Sequence, residues 1–338
     1  MSNYTWSYIQ KHPKQTKRLL GIDYEQLTKI IKQGKLLAHK KQEENEQTKI
    51  RIIKAGGGNH PKLSEEEQII LMLVYLRHHL TFQILGLLFQ VSESTAHNLF
   101  NYWQKIFQEA LPPSLLEQVK KFPEEVEQIK EELTNYELIV DSSEQVIERP
   151  VDYQSQKKYY SGKQKRHTLK SQFVVLPKGK EIVDVVVGKP GPMSDIKICR
   201  QTLNRFDEYQ LFSGDKAYVG ESQITTPSKK PKNGELTDSQ KADNKLLSKS
   251  RIFVEHLIRK VKIFKIIQER FRLNKKRYES VILTVCGLVR LRIGSLLLEV
   301  IESAESGKVI DIVMTHSFTT NLDYETPKPH EIVPMAQF

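Results

Sequence analysis

Cysteine is nearly missing from this chain: Cys199 and Cys286 are the two in 338 residues. That is too few for a disulfide framework or a cysteine-built zinc site. The ten histidines show no HExxH spacing, which removes the commonest zinc-hydrolase signature. No run of 18 uncharged apolar residues occurs, and the best candidate, 281–301, is broken by Arg290, Arg292 and Glu299. No membrane-spanning helix and no membrane partner are therefore expected. Lys11, Lys14, Lys17 and Arg18 stand where a secretory leader would need its apolar core. No repeat of solenoid length is visible. These absences predict a soluble chain in a reducing, cytoplasmic setting.

Negative charge is also in short supply. Lysine plus arginine exceed aspartate plus glutamate by 52 − 41 = 11. Such a balance suits a polyanionic partner, nucleic acid first. The excess is concentrated in 251–290, with eleven lysines and arginines against three acids.

The chain divides by texture. Residues 1–60 read as an N-terminal region of short charged helices around Tyr8, Leu19, Leu20, Leu27 and Ile31, ended by the breaker Gly56-Gly57-Gly58-Asn59-His60-Pro61. Ser64 and Glu67 have the spacing of a capping box. Within 61–112, a short apolar helix stops near Phe89, Val91 lies in a turn, and Ser92 caps a second helix. That helix places Ala96, Leu99, Phe100 and Trp103 on one face and Ser94, His97, Asn98 and Asn101 on the other. The pattern fits a helix-turn-helix whose polar face enters a major groove, or an ordinary helical hairpin. After an acidic helical stretch, 115–135, strands are expected at 136–140, 167–176, 181–187 and 209–212, with a helix from Asp195 to Leu203. Strands followed by a crossover helix predict a mixed α/β sheet over 136–295. Residues 305–338 show no period after Val313 and are expected to be a poorly ordered tail.

Three acids stand out by position. Asp141 and Asp215 each follow an apolar strand, and open α/β sheets gather active groups at such ends. Glu255 lies in a long helix whose apolar stripe is Val254, Leu257, Ile258, Val261 and Phe264. Arg251, Glu255 and Lys262 share the edge of that stripe. Alone, this is the pattern of a salt-bridged helix surface. With two further carboxylates it suits hard divalent cations, because gathered acids otherwise repel. A chain with 41 acids offers many such triples, so spacing leaves the choice open.

Several blocks in order resolve it by resemblance. Asp141-Ser142-Ser143-Glu144 with Ile147-Glu148-Arg149-Pro150 comes first. Tyr160-Ser161-Gly162-Lys163 with His167-Thr168-Leu169-Lys170 follows. Then come Pro190-Gly191 with Ser194-Asp195, Gly214-Asp215-Lys216-Ala217-Tyr218-Val219-Gly220, and an R-x₃-E-x₆-K signature at Arg251, Glu255 and Lys262. Over about residues 64 to 295 the chain resembles DDE transposases of bacterial insertion sequences, in the insertion-sequence-five-like group related to eukaryotic Harbinger elements. A tyrosine found three residues before the arginine in relatives is Ser248 here, so its role is not carried over.

The resemblance implies a helix-turn-helix region followed by a ribonuclease H-like catalytic domain. Asp141, Asp215 and Glu255 would bind two Mg²⁺ or Mn²⁺ ions. The implied reaction is nicking at terminal inverted repeats, then attack of the 3′-hydroxyl on target DNA, by a homodimer or higher oligomer associated with the nucleoid. Arg251 and Lys262 are expected on the DNA backbone or paired with Glu255. Lys163, Lys165, Arg166, His167 and Lys170 are expected on phosphates, although lysines also guard edge strands. Asp195 is read as a charge in the first turn of a helix, and Asp184 as a surface partner of a lysine. Two rival readings are a catalytically silent, transposon-derived DNA-binding protein and a stand-alone metal-dependent nuclease.

Overall fold

The computed structural model describes residues 4–48, 61–302 and 309–316. The N-terminal region comprises α1 (Tyr4–Lys11), α2 (Thr16–Leu20) and α3 (Tyr24–Thr48). α3 is one 25-residue helix, longer than the short helices expected there. It buries Leu27, Ile30 and Ala38 in the main core. The glycine run at 56–60 lies outside the described residues. α4 (Glu65–His78) opens on the expected capping box, with Ser64 and Glu67 exchanging hydrogen bonds.

α5 (Phe82–Phe89) and α6 (Glu93–Ala110) follow as the helix-turn-helix. A Cβ on Gly86 would lie 2.7 Å from the Val91 carbonyl oxygen, so the turn closes tightly only over glycine. Ser92 then starts α6 by accepting from the Thr95 N–H. The acidic stretch is two helices, α7 (Leu115–Val119) and α8 (Pro123–Thr134), divided where Pro123 occupies the first turn of α8.

The second half is built on a mixed sheet. β1 (Leu138–Val146) leads through α9 (Tyr153–Tyr159) to β2 (Tyr160–Ser161), β3 (Arg166–Val175) and β4 (Ile182–Pro190). After α10 (Asp195–Arg200) come β5 (Phe212–Ser213) and β6 (Ile224–Thr225). β1 pairs antiparallel with β3 and parallel with β5; β4 pairs antiparallel with β3, and β6 parallel with β5. The order β4-β3-β1-β5-β6 is the ribonuclease H-like arrangement. Side chains of β1 alternate between two cores. Ile139 and Ile147 enter the core shared with the helices after the sheet; Leu138 and Val140 enter a smaller core with Leu115, Cys199 and Phe212.

α11 (Asp238–Lys262), α12 (Lys265–Gln268) and α13 (Tyr278–Ile293) close the first face. β7 (Leu296–Glu302) and β8 (Val309–His316) then form an antiparallel hairpin. Within the stretch from 305 expected to be a poorly ordered tail, 309–316 pairs with β7 as a strand. Residues 317–338 lie outside the described residues.

The helix-turn-helix is not a separate bead. Gln104 on α6 donates to the Thr284 hydroxyl on α13, and Arg277 donates to Asn101 and Gln104. Arg277 also lies over the Phe100 ring, 5.1 Å from its centroid. Below them, Arg290 is fully buried. It meets Glu181 at 2.7 and 2.8 Å, the carbonyls of Pro112 and Ser114, and the Gln118 amide oxygen. One apolar core runs through both halves.

Candidate active site

Asp141 lies in the middle of β1, not beyond its end as the apolar run implied. Its position is nevertheless an end of another kind. The parallel pairing with β5 stops at Ile139–Ser213, while the antiparallel ladder with β3 continues through Val146–Thr168. Asp141 is thus the next residue of its face after the parallel partner has left. It pairs with Phe173, so it faces the side that α11 covers. Burial pushes its carboxyl up to about 6, against the pull of the Ser142 N–H and the Arg251 guanidinium; Asp215 and Asp195 add to the rise.

Asp215 follows the two-residue β5 and caps a 3₁₀ turn, Lys216–Tyr218, by accepting from the Ala217 N–H at 2.8 Å. The turn folds the Tyr218 ring back beneath Gly214, where a Cβ would come within 2.9 Å of it. The Tyr218 hydroxyl shares a hydrogen bond with Ser142 Oγ and accepts from Gln172 Nε2, each 3.1 Å. This explains the Gly-Asp-x-x-Tyr spacing, whose tyrosine sequence reasoning quoted without assigning it a role.

α11 carries Arg251, Glu255 and Lys262 on one edge, as its period predicts. Arg251 is half-buried and close enough to act on Asp141. Lys262 is half-buried beside Ser143, Gln145 and Tyr278 around a small cavity. Glu255 is exposed. Among the described residues, no three of the histidine, cysteine, aspartate and glutamate side chains stand close enough to hold a metal ion. The oxygen donors at Asp141 and Asp215 fit a hard divalent cation, and burial, with a smaller push from Asp215, already disfavours the bare charge on Asp141. The third carboxylate is not gathered with them.

The other face of the sheet overturns two expectations. Lys170 is not a phosphate contact on an exposed edge. It is buried, lies 3.0 Å from Asp195 Oδ1, and donates to the Met193 carbonyl at 2.7 Å. Asp195 does begin α10, but its charge is used by Lys170. Beside them Thr168 donates to Glu144 at 2.8 Å, and Gly191 packs where a Cβ would strike the Thr168 hydroxyl. Asp184, expected at the surface with a lysine, is 1% exposed and paired with Arg205 at 3.1 Å. Burial pushes its carboxyl up, and Arg205 opposes that rise.

Lys163, Lys165 and Arg166 sit exposed at the β2–β3 hairpin, and His167 is half-buried edge-on to Tyr160. Lys275 and Lys158 add charge nearby, lying 3.9 and 5.5 Å from the Tyr159 ring centroid. On α6, Ser94, His97 and Asn98 are exposed. Asn101 is half-buried and already engaged by Arg277, so it is an anchor in this arrangement. Among the described residues no helix is long and apolar enough to cross a membrane.

Comparison with known proteins follows the same division. Residues 140–290 match the family described as DDE superfamily endonuclease, and residues 61–113 match the helix-turn-helix of DDE superfamily endonuclease. The chain is 33% identical over 225 residues to the probable transposase for insertion sequence element IS702 of Microchaete diplosiphon, covering 65% of this chain and 78% of that one. A solved pre-cleavage Mos1 transpososome overlaps 75% of this chain and 83% of its own at 11% identity, with a TM-score of 0.22. A Mos1 transposase paired-end complex with left transposon end overlaps 72% and 85% at 10% identity and 0.18. Those two overlaps are too loose to carry a fold argument.

Proposed function

The chain belongs to the DDE superfamily of transposases, and on that footing we propose that it binds the terminal inverted repeats of its element, nicks them, and joins the freed 3′ ends to target DNA. What supports this is that Asp215 lies near enough to act on the carboxyl of Asp141, at the point where β1 loses its parallel partner, on the face crossed by α11. A binding module gains nothing from a half-buried carboxylate whose burial opposes its ionisation. Asp141 and Asp215 would hold the metal, with Glu255 joining from the edge of α11, one turn beyond Arg251. Two Mg²⁺ or Mn²⁺ ions bound there would activate the attacking oxygen and neutralise charge on the phosphate.

The chain's own groups do the rest. Arg251 favours the ionised form of Asp141 before DNA arrives and is placed to turn to phosphate afterwards. Lys163, Lys165 and Arg166 at the hairpin track the backbone, while Ser94, His97 and Asn98 on α6 face the major groove. Two element ends must be processed together, which a dimer accomplishes most simply.

The test is nicking of the element's end sequence with Mg²⁺ or Mn²⁺. Asp141→Ala, Asp215→Ala and Glu255→Ala are each expected to abolish cleavage while end binding persists. Cleavage that survives all three changes would refute the proposal. Equal cutting of unrelated DNA would instead identify a stand-alone nuclease.

A further inference from the structure

The face of the sheet away from α11 carries polar groups that the proposed reaction does not use. Ser142 follows Asp141 on β1, and Tyr218 lies three residues after Asp215. Their hydroxyls are 3.1 Å apart. Gln172, opposite Ser142 on β3, donates to the Tyr218 hydroxyl at 3.1 Å and to the Asp195 carbonyl at 3.0 Å. Tyr218 and Gln172 are both buried, so each bond is made away from competing water. Asp195 is itself tied to Lys170. β5 contributes only two residues of ladder, Phe212 and Ser213. Beyond it, this hydroxyl pair joins the Asp215 turn to β1.

We propose that Tyr218 is a positioning residue: its hydroxyl, held by Ser142 and Gln172, latches the Asp215 turn to the strand carrying Asp141 and so sets the spacing of the two carboxylates. This rests on the metal-dependent reading above. Groups that orient metal ligands, without touching the metal, commonly change metal affinity or activity by about 10–100-fold when lost. The ring and the hydroxyl have separable roles. Tyr218→Phe keeps the ring beneath Gly214 and removes only the latch.

The full-length protein is compared as wild type, Tyr218→Phe, Ser142→Ala and the double variant. Mn²⁺ binding is followed by electron paramagnetic resonance, alongside the metal dependence of nicking, end-DNA affinity and thermal midpoint. Each single variant is expected to weaken Mn²⁺ binding about tenfold and to regain cleavage at high metal, with end-DNA affinity unchanged. The double variant is expected to lose less than the sum of the two single ones, because both break the shared Ser142–Tyr218 bond. Wild-type Mn²⁺ affinity in Tyr218→Phe, or losses that add in the double variant, would overturn the latch. Weakened Mn²⁺ binding in a protein that never nicks its element ends would sink the transposition reading and leave the latch standing. A wild-type chain that binds no Mn²⁺ would sink both.

Discussion

Asp141 is held at a cost to the fold. Its carboxyl is pushed up to about 6, whereas an unfolded aspartate titrates near 4, so the native state keeps the proton longer. Stability from this group is therefore greatest below about pH 4, declines as pH rises to about 6, and is level above that. Asp141→Asn is expected to stabilise the fold at pH 7.5 by on the order of 1–3 kcal/mol, seen as a raised thermal midpoint, while abolishing nicking. Melts across pH 4–8 check this, because the gain must shrink toward the acid end. Arg251 acts in the opposite sense on the same carboxyl. Replacing it with methionine should move the acid limb of the nicking profile to higher pH, and an unmoved limb would remove Arg251 from the site.

At the scale of elements, close approach is what the helices depend on. A Cβ at Gly287 of α13 would lie 2.6 Å from the Leu111 carbonyl oxygen just after α6. Gly287→Ala should therefore destabilise by about 1–3 kcal/mol, read as a lowered denaturation midpoint. The helix-turn-helix was legible because its signals are local: Gly86, Ser92 and a clean apolar face from Ala96 to Trp103. The apolar runs before the two aspartates were legible for the same reason. The continuation of β1 through Ser142–Val146 was not, since its polar side chains meet Thr168, Lys170 and Gln172 instead of water. Lys170 read as a phosphate contact and Asp184 as a surface charge, and the burial of Arg290 went unread, for an equally physical reason. Each is neutralised by a partner at least 20 residues away in sequence, and no local pattern announces such a partner. Glu255 was placed correctly on its helix, yet a helical period says nothing of how far its carboxylate stands from another element's acids.

For the whole molecule, two predictions concern how the halves are joined and what they bind. Arg290→Met strands Glu181 in the interior and should cost about 3–5 kcal/mol. Adding Glu181→Leu should recover much of that loss in a denaturant titration. End-DNA affinity should fall by at least about a hundredfold between about 50 and about 200 mM salt, as expected for four or more phosphate contacts. A shallow slope would contradict the roles given to the hairpin lysines.

Asn101, Gln104 and Phe100 on α6 are gripped by Arg277 from the segment leading into α13, so the helix-turn-helix is pinned to the half that carries Asp141. If the chain binds and nicks its element ends as proposed, that pinning sets the length of DNA between recognised sequence and severed bond. An element whose ends gained half a helical turn between those points would present the wrong side of the duplex, and its lineage would cease to move.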